Sequence, residues 1–305
     1  MIFFIFKLKK MLLNTKIPFS YIIKKIKVEL LYVFIIALIV KYLTITYIDY
    51  IPEMSLSIPA FIGTAISVLL SFKLSQSYDR WWEARKIWGA IVNDSRSLVL
   101  LSQSFINDTE VIKQIAYRQI AWCYCLGQSL RELEPLSNTQ NLLSKQDLDF
   151  LTSISNKPLG ILQLNTKHIT KLRKQGTITN YDHVQLTNVM MRFSDSMGMA
   201  ERIKKTVFPV TYLKFLHFMI YVFVISLSIA LGDIDSLFEM PLLLVVSSLF
   251  FLLEKTATHM QDPFSNRPSD TPITNIARTI DINIKQMIQD DHIPQPLPND
   301  TFYQM

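Results

Sequence analysis

The stretch from Ile58 to Trp88 reads IPAFIGTAISVLLSFKLSQSYDRWWEARKIW, and it decides how the rest of the chain is interpreted. It is mostly apolar from Phe61 to Phe72 and turns polar after that. A helix from Pro59 to Trp82 would be about 35 Å long at the usual helical rise, which is enough to cross a bilayer. Small and hydroxyl side chains recur along it, and they favour close contact with other helices over a purely lipid-facing span.

One face of this predicted helix carries Thr64, Val68 and Phe72 at intervals of four residues. Side chains at this spacing form a single stripe along a helix. Repeated around a symmetry axis, the stripe would make a narrow, mostly apolar constriction of the kind that gates channels by dewetting. Ordinary helix packing explains the same stripe, and it is the interpretation that the residues alone favour.

The composition indicates a membrane protein with a sizeable aqueous part. Half of the 305 residues are hydrophobic, the mean hydropathy is +0.24, and 18% of the residues are charged. The net charge of +6 does not point to nucleic acid, because the lysines concentrate beside an apolar run and suit an anionic lipid surface. Cys123 and Cys125, two apart on a helical pattern, are predicted to be buried thiols rather than a disulfide or a metal pair.

Hydropathy predicts four membrane spans, at about residues 28–48, 58–82, 207–230 and 238–255. The lysine-rich segment 1–27 is predicted to lie along the membrane surface and to place the N-terminus in the cytoplasm. Acidic loops between the spans are expected on the outside. The polar segments, about 89–205 and 256–305, show helical spacing and form a cytoplasmic part with both termini. The chain is therefore predicted to be an all-α membrane protein.

Charged residues near the spans have two interpretations each. Lys41 either snorkels to the far interface, which the sequence favours, or faces the protein interior. His217 could sense pH, but packing beside aromatic side chains is the preferred interpretation. The run Arg80-Trp81-Trp82-Glu83-Ala84-Arg85 reads as an interfacial anchor with a solvated charged face, in which Arg80 and Glu83 are spaced for pairing.

Local signals predict several features of the polar segments. Ser144 is expected to cap a short helix from Lys145 to about Ser153. Residues 156–160 are predicted to form a turn, and a further helix is predicted from Asn275 to Gln289. Pro209 is expected to open the third span.

The second span and its RWWEAR continuation resemble the bestrophin family, in particular its bacterial members. Two further motifs follow in that family's order. Glu201-Arg202-Ile203 precedes the start of the third span at Pro209, and Asp262-Pro263-Phe264 after the fourth span is similar to the family's N-P-F motif. The resemblance covers about residues 20–290.

The resemblance implies a pentameric ion channel of the bacterial inner membrane, one subunit spanning residues 1–305. Its membrane helices would continue into a cytoplasmic helical barrel around a central pore. The resemblance places Thr64, Val68 and Phe72 at the neck of that pore. Thr64 departs from the larger aliphatic residue expected there, which puts a fully apolar neck in doubt.

The resemblance also implies a second constriction at the cytoplasmic end of the pore. Counting from the motifs places it near Tyr181, with Asp182 and Ile178 as alternatives. Eukaryotic members bind calcium with an acidic run after the N-P-F motif. Here residues 265–270 hold one acid and one base, so no calcium activation, metal or cofactor is expected.

The sequence raises three possible functions. The first is a passive channel for small monovalent ions, with chloride implied by the resemblance and sodium or potassium as the alternative, because Asp182 at the mouth would attract cations. A membrane enzyme is not indicated, since the sequence contains no H-E-x-x-H and no G-x-S-x-G. A non-conducting membrane scaffold is the third. The expected partners are monovalent ions, membrane lipids and further copies of the chain, and not nucleic acid.

Overall fold

The computed structural model describes residues 18–47, 49–50, 53–137, 139–206, 209–232 and 236–297. These residues form helices joined by turns and loops, and no strand occurs among them. The helices in chain order are α1 Phe19–Thr46, α2 Ser57–Phe105, α3 Thr109–Leu130, α4 Lys145–Thr152, α5 Lys157–Lys174, α6 Asn180–Lys205, α7 Val210–Ala230, α8 Ser236–Gln261 and α9 Ile273–Met287.

Four of the described helices are long and apolar enough to cross a membrane: Phe19–Thr46, Ser57–Phe105, Val210–Ala230 and Phe238–Gln261. The prediction of an all-α membrane protein with four spans is confirmed. The first helix starts earlier than expected, because residues 19–27 continue it instead of forming a separate surface segment. Lysines are good helix formers, so nothing in 19–27 interrupts the helix. Residues 1–17 of the predicted surface segment lie outside the described residues.

The described residues divide into two compact units, and α2 contributes to both. The first, called the membrane-helix unit, consists of the described residues of 1–79 and 207–261. Its core is apolar and is drawn from α1, α2, α7 and α8, by Ile26, Val33, Ile66, Leu70, Leu216, Ile220, Phe223, Val224 and Phe251. A Cβ on Gly63 would lie 3.1 Å from the ring of Phe223, so glycine permits a close approach of α2 to α7.

The second, called the polar-helix unit, consists of the described residues of 80–206 and 262–305. Its core surrounds α3, where the rings of Trp122 and Phe193 lie 5.0 Å apart. Cys123 and Cys125 are buried and free, as predicted. Burial raises the pKa of both thiols to about 12, which leaves them protonated and poorly reactive at neutral pH.

The predictions of helix ends from local sequence signals are confirmed only in part. Ser144 caps α4 by accepting a hydrogen bond from the Asp147 backbone N–H, and α7 begins directly after Pro209, both as predicted. Helix α9 begins and ends two residues earlier than expected. The predicted turn at 156–160 is wrong, because Asn156 caps α5 through the Leu159 N–H and a proline is tolerated in a first helical turn.

Candidate functional site

The stripe on α2 lies on an open face of the membrane-helix unit. Val68 is 51% exposed and Phe72 is 63% exposed, and Thr64 on the same stripe is also exposed. The opposite face of the helix is packed, since Ile66 is 0% and Leu70 is 3% exposed. The structure therefore brings the three predicted neck residues onto one unoccupied surface, one helical turn apart.

Hydroxyl groups accompany the apolar side chains on this face. Ser67, Ser71 and Ser75 are exposed along the same part of α2. Thr64 Oγ1 donates to the carbonyl of Ala60 at 2.9 Å, and Ser67 Oγ donates to the carbonyl of Gly63 at 2.8 Å. Their protons are thus satisfied within the helix, while the oxygen lone pairs can still accept from water.

The outward face of α1 has a different character. Its exposed large side chains between residues 31 and 39 are apolar or aromatic: Leu31, Tyr32, Phe34, Ile35, Leu38 and Ile39. Such a face suits lipid acyl chains. The mixed face of α2 suits water or another helix better, because hydroxyl groups gain little against hydrocarbon.

A buried charged cluster lies directly behind the stripe. Lys73 and Glu254 are each 1% exposed, and Lys73 Nζ lies 2.7 Å from Glu254 Oε1. The same ammonium donates to Thr258 Oγ1 at 2.8 Å, and that hydroxyl donates to Glu254 Oε1 at 2.7 Å. His217 Nε2 is 3.0 Å from the other carboxylate oxygen, Oε2. The cluster joins α2, α7 and α8 at one point.

The sequence does not point directly to this cluster, because Lys73 is the first residue of the polar part that follows Phe72 in the second span. A signal was present, since Lys73 and Glu254 each follow an apolar run and a charge inside a span requires a partner. The packing prediction for His217 is consistent with its place beside the Phe251 ring, 6.0 Å away between ring centres.

A second charged pair corrects the snorkelling prediction for Lys41. Its Nζ lies 2.8 Å from Oε2 of Glu239, whose side chain is fully buried in α8. The ammonium also donates to the carbonyl of Gly232 at 3.1 Å. Lys41 therefore faces the protein, where a carboxylate and a carbonyl replace the hydration that it would have sought at the interface.

The RWWEAR motif ties α2 to other parts of the polar-helix unit. Arg80 donates to the carbonyls of Ile203 at 2.7 Å and Thr206 at 2.9 Å, at the end of α6. Helix ends leave carbonyls without partners, and a cation is favourable there. Glu83 forms an ion pair with Arg202 of α6 at 3.0 Å.

The two tryptophans of this motif make different contacts. Trp81 Nε1 donates to the carbonyl of Ser269 at 3.0 Å, while its ring stacks on Trp82, which is 46% exposed. Arg85 is exposed. The interfacial-anchor interpretation therefore misses most of what the motif does, because its bonds go to α6 and to the loop after α8.

The motif Asp262-Pro263-Phe264 organises that loop. Asp262 accepts from Lys204 at 3.2 Å and from the hydroxyl of Ser265, and Phe264 is fully buried. Burial alone would raise the pKa of Asp262, but the Ser265 hydrogen bond and the Lys204 charge hold it below its usual range. Thr271 N–H donates to the carbonyl of Pro263 at 3.2 Å. In the part of the chain that the structure describes, no group of three or more His, Cys, Asp or Glu residues could hold a metal ion.

The three candidates for the cytoplasmic aperture occupy different environments at the start of α6. Tyr181 is 70% exposed, whereas Ile178 is 4% exposed and belongs to the core. Asp182 forms a capping box with Thr179, in which its carboxylate accepts the Thr179 N–H at 2.9 Å. Of the three, Tyr181 has the side chain that is free to line an opening.

The sequence model of the family described as Bacterial/Fungal Bestrophin protein matches residues 7–286. The chain is 28% identical over 285 residues to the Voltage-dependent anion channel-forming protein YneE of Escherichia coli (strain K12), covering 93% of each chain. It is 24% identical over 242 residues to the Voltage-dependent anion channel-forming protein mll4386 of Mesorhizobium japonicum, covering 79% of this chain and 78% of the relative.

The fold is similar to that of solved structures as well. A crystal structure of a bacterial Bestrophin homolog from Klebsiella pneumoniae superimposes with a TM-score of 0.82 at 24% sequence identity. The match covers 88% of this chain and 100% of that chain.

Proposed function

Because the chain belongs to the Bacterial/Fungal Bestrophin family, we propose that it forms an anion-conducting channel in a bacterial membrane. Several copies of α2 surround a central pore, and Thr64, Val68 and Phe72 line its neck. Two relatives that cover most of the chain are named as anion channel-forming proteins, which supports transport over catalysis and anions over cations.

One observation carries the proposal: the stripe is exposed in the single subunit, and it alternates with hydroxyl groups on the same face. Against lipid, the hydroxyl oxygens of Ser67, Ser71 and Ser75 would lose the water that donates to their lone pairs without gaining another donor. Against a central pore, the same hydroxyls meet water and neighbouring helices. The face thus has the chemistry of a pore wall.

The neck works by controlling water. Val68 and Phe72 present hydrocarbon and no charge, so a narrow ring of them empties of water readily and blocks hydrated ions. Thr64 makes the outer end wetter, because its oxygen can accept from water. The neck itself does not choose the sign of the ion, so that selection falls to charged groups elsewhere along the pore.

The assembly is a homo-oligomer, and the family resemblance makes it a pentamer. Each subunit is one channel chain with four spans, and the apolar outer face of α1 contacts membrane lipid. The polar-helix unit and both termini lie in the cytoplasm, because the lysines between residues 24 and 27 mark the inner side of α1. Tyr181 is the candidate for the second, cytoplasmic aperture.

Bilayer recording tests the proposal directly. Purified protein in planar bilayers under a sodium chloride gradient should give currents that reverse near the chloride equilibrium potential. Reversal near the sodium potential, lost in Asp182→Asn, would establish the cation alternative instead. Absence of current from both the unmodified protein and Phe72→Ala would favour a non-conducting scaffold.

A further inference from the structure

The pair Lys73–Glu254 stands out because it places two charges inside an apolar unit. Each side chain is 1% exposed, and the ammonium and carboxylate are 2.7 Å apart. Removing two charges from water costs several kcal/mol per ion, and their attraction often does no more than offset that cost. An apolar pair of similar volume would hold the helices together at least as well. Stability alone therefore does not account for the pair.

The pair differs from apolar packing in being directional. Lys73 Nζ bonds to Glu254 and to Thr258, and Thr258 bonds back to the same carboxylate oxygen. These bonds hold over a narrower range of rotations and heights of α2 relative to α8 than apolar contacts do, because hydrogen bonds weaken steeply outside a narrow range of distance and angle. Leucine or methionine at these positions would tolerate small rotations.

The position of Lys73 gives this directionality a consequence. It follows Phe72 in the chain, so the two side chains leave the helix about 100° apart. Leu70 and Lys73, three residues apart, share the buried face, while Phe72 is exposed. Any rotation of α2 that carries Phe72 toward a neighbouring subunit must pull Lys73 away from Glu254.

We propose that the Lys73–Glu254 pair is a positioning element that fixes the rotation of α2 and so holds Phe72 on the pore axis. The inference rests on the proposed function, since Phe72 must face water for the rotation to matter. Thr258 of α8 completes the cluster by donating to the carboxylate, and the His217 imidazole of α7 lies 3.0 Å from its other oxygen.

Cysteine labelling tests the inference without relying on ion currents. Phe72→Cys is expected to react with a water-soluble methanethiosulfonate reagent, against a low background because the native thiols are buried with raised pKa values. The charged pair is then removed by the double substitution Lys73→Met with Glu254→Met. This variant should assemble because the side-chain volumes are kept. In that background, labelling of Phe72→Cys is expected to fall several-fold and labelling of Leu70→Cys to rise.

The matched control makes the same replacement at the other buried pair, Lys41→Met with Glu239→Met. That pair joins α1 to α8 and does not include α2, so labelling of Phe72→Cys should stay unchanged. Unchanged labelling in the Lys73→Met and Glu254→Met background, or failure of that background to assemble, would show a structural pair and overturn the inference. If Phe72→Cys is not labelled even with the pair intact, the pore assignment fails together with the inference, whereas a labelled protein that conducts no ions contradicts only the channel.

Discussion

Phe72 is the residue on which the proposed neck depends most. It is the largest side chain of the stripe, and it is 63% exposed in the subunit. A phenyl ring offers water no hydrogen bond, so a ring of such side chains raises the free energy of a water column far more than Thr64 does. The neck is therefore expected to be tightest and driest at its inner end.

Replacing Phe72 by alanine should widen and wet the neck. We expect Phe72→Ala to raise the single-channel conductance or the open probability several-fold, measured in planar bilayers in symmetric salt. Phe218→Ala is the matched control, because Phe218 is 60% exposed on α7 and lies outside the stripe. Equal currents from the unmodified protein and Phe72→Ala would contradict a neck at this position.

At the scale of helices, Arg80 joins α2 to the end of α6. Its guanidinium serves two carbonyls of one helix terminus, which are 123 and 126 residues away in the chain. Both bonds leave the same guanidinium nitrogen, Nη2, so one end of the Arg80 side chain holds the two carbonyls. The end of α6 is thereby capped by a side chain from another helix.

Removing this cap should destabilise the polar-helix unit. Arg80→Gln is expected to lower the free energy of unfolding by about 2 kcal/mol, a value typical of hydrogen bonds made by a charged group. Arg80→Lys should recover part of that loss. Arg85→Gln, at an exposed position of the same helix, should have little effect in the same thermal melts. A melt for Arg80→Gln that coincides with that of the unmodified protein would contradict the capping role.

Sequence patterns predicted the helices better than their connections. Apolar length identified the four spans, and the Ser144 cap identified α4, because both signals lie within a few residues of what they determine. The start of α5 was missed because its Asn and Pro residues serve turns and helix starts alike. The partners of Arg80 and Lys73 were missed for a different reason: Glu254 is 181 residues from Lys73, and no local pattern links them.

At the scale of the whole molecule, the subunit has exposed surface that requires partners. The outer face of α1 is apolar and suits lipid, whereas the α2 stripe suits a water-filled axis shared with other subunits. The three stripe positions were predictable from spacing, but their exposure was not, since helical period alone does not say which face is packed. In the proposed pentamer, the closed ring places the α1 face against lipid and the α2 stripe around the pore.

The assembly should be visible by mass. Native mass spectrometry of the detergent-purified protein is expected to give one main species of five subunits of 35.4 kDa each. A denatured sample of the same preparation supplies the subunit mass as a control. A monomer or dimer as the main species would contradict a central pore.

The Lys41 contact has a consequence for biogenesis. Its carbonyl partner, Gly232, is translated 191 residues later, and Glu239 follows soon after. Until the ribosome has synthesised α8, the Lys41 ammonium of the nascent α1 lacks the carboxylate of Glu239 as its counter-charge. We expect chains truncated before Glu239 to be degraded faster than the full chain, which pulse–chase labelling in cells would measure.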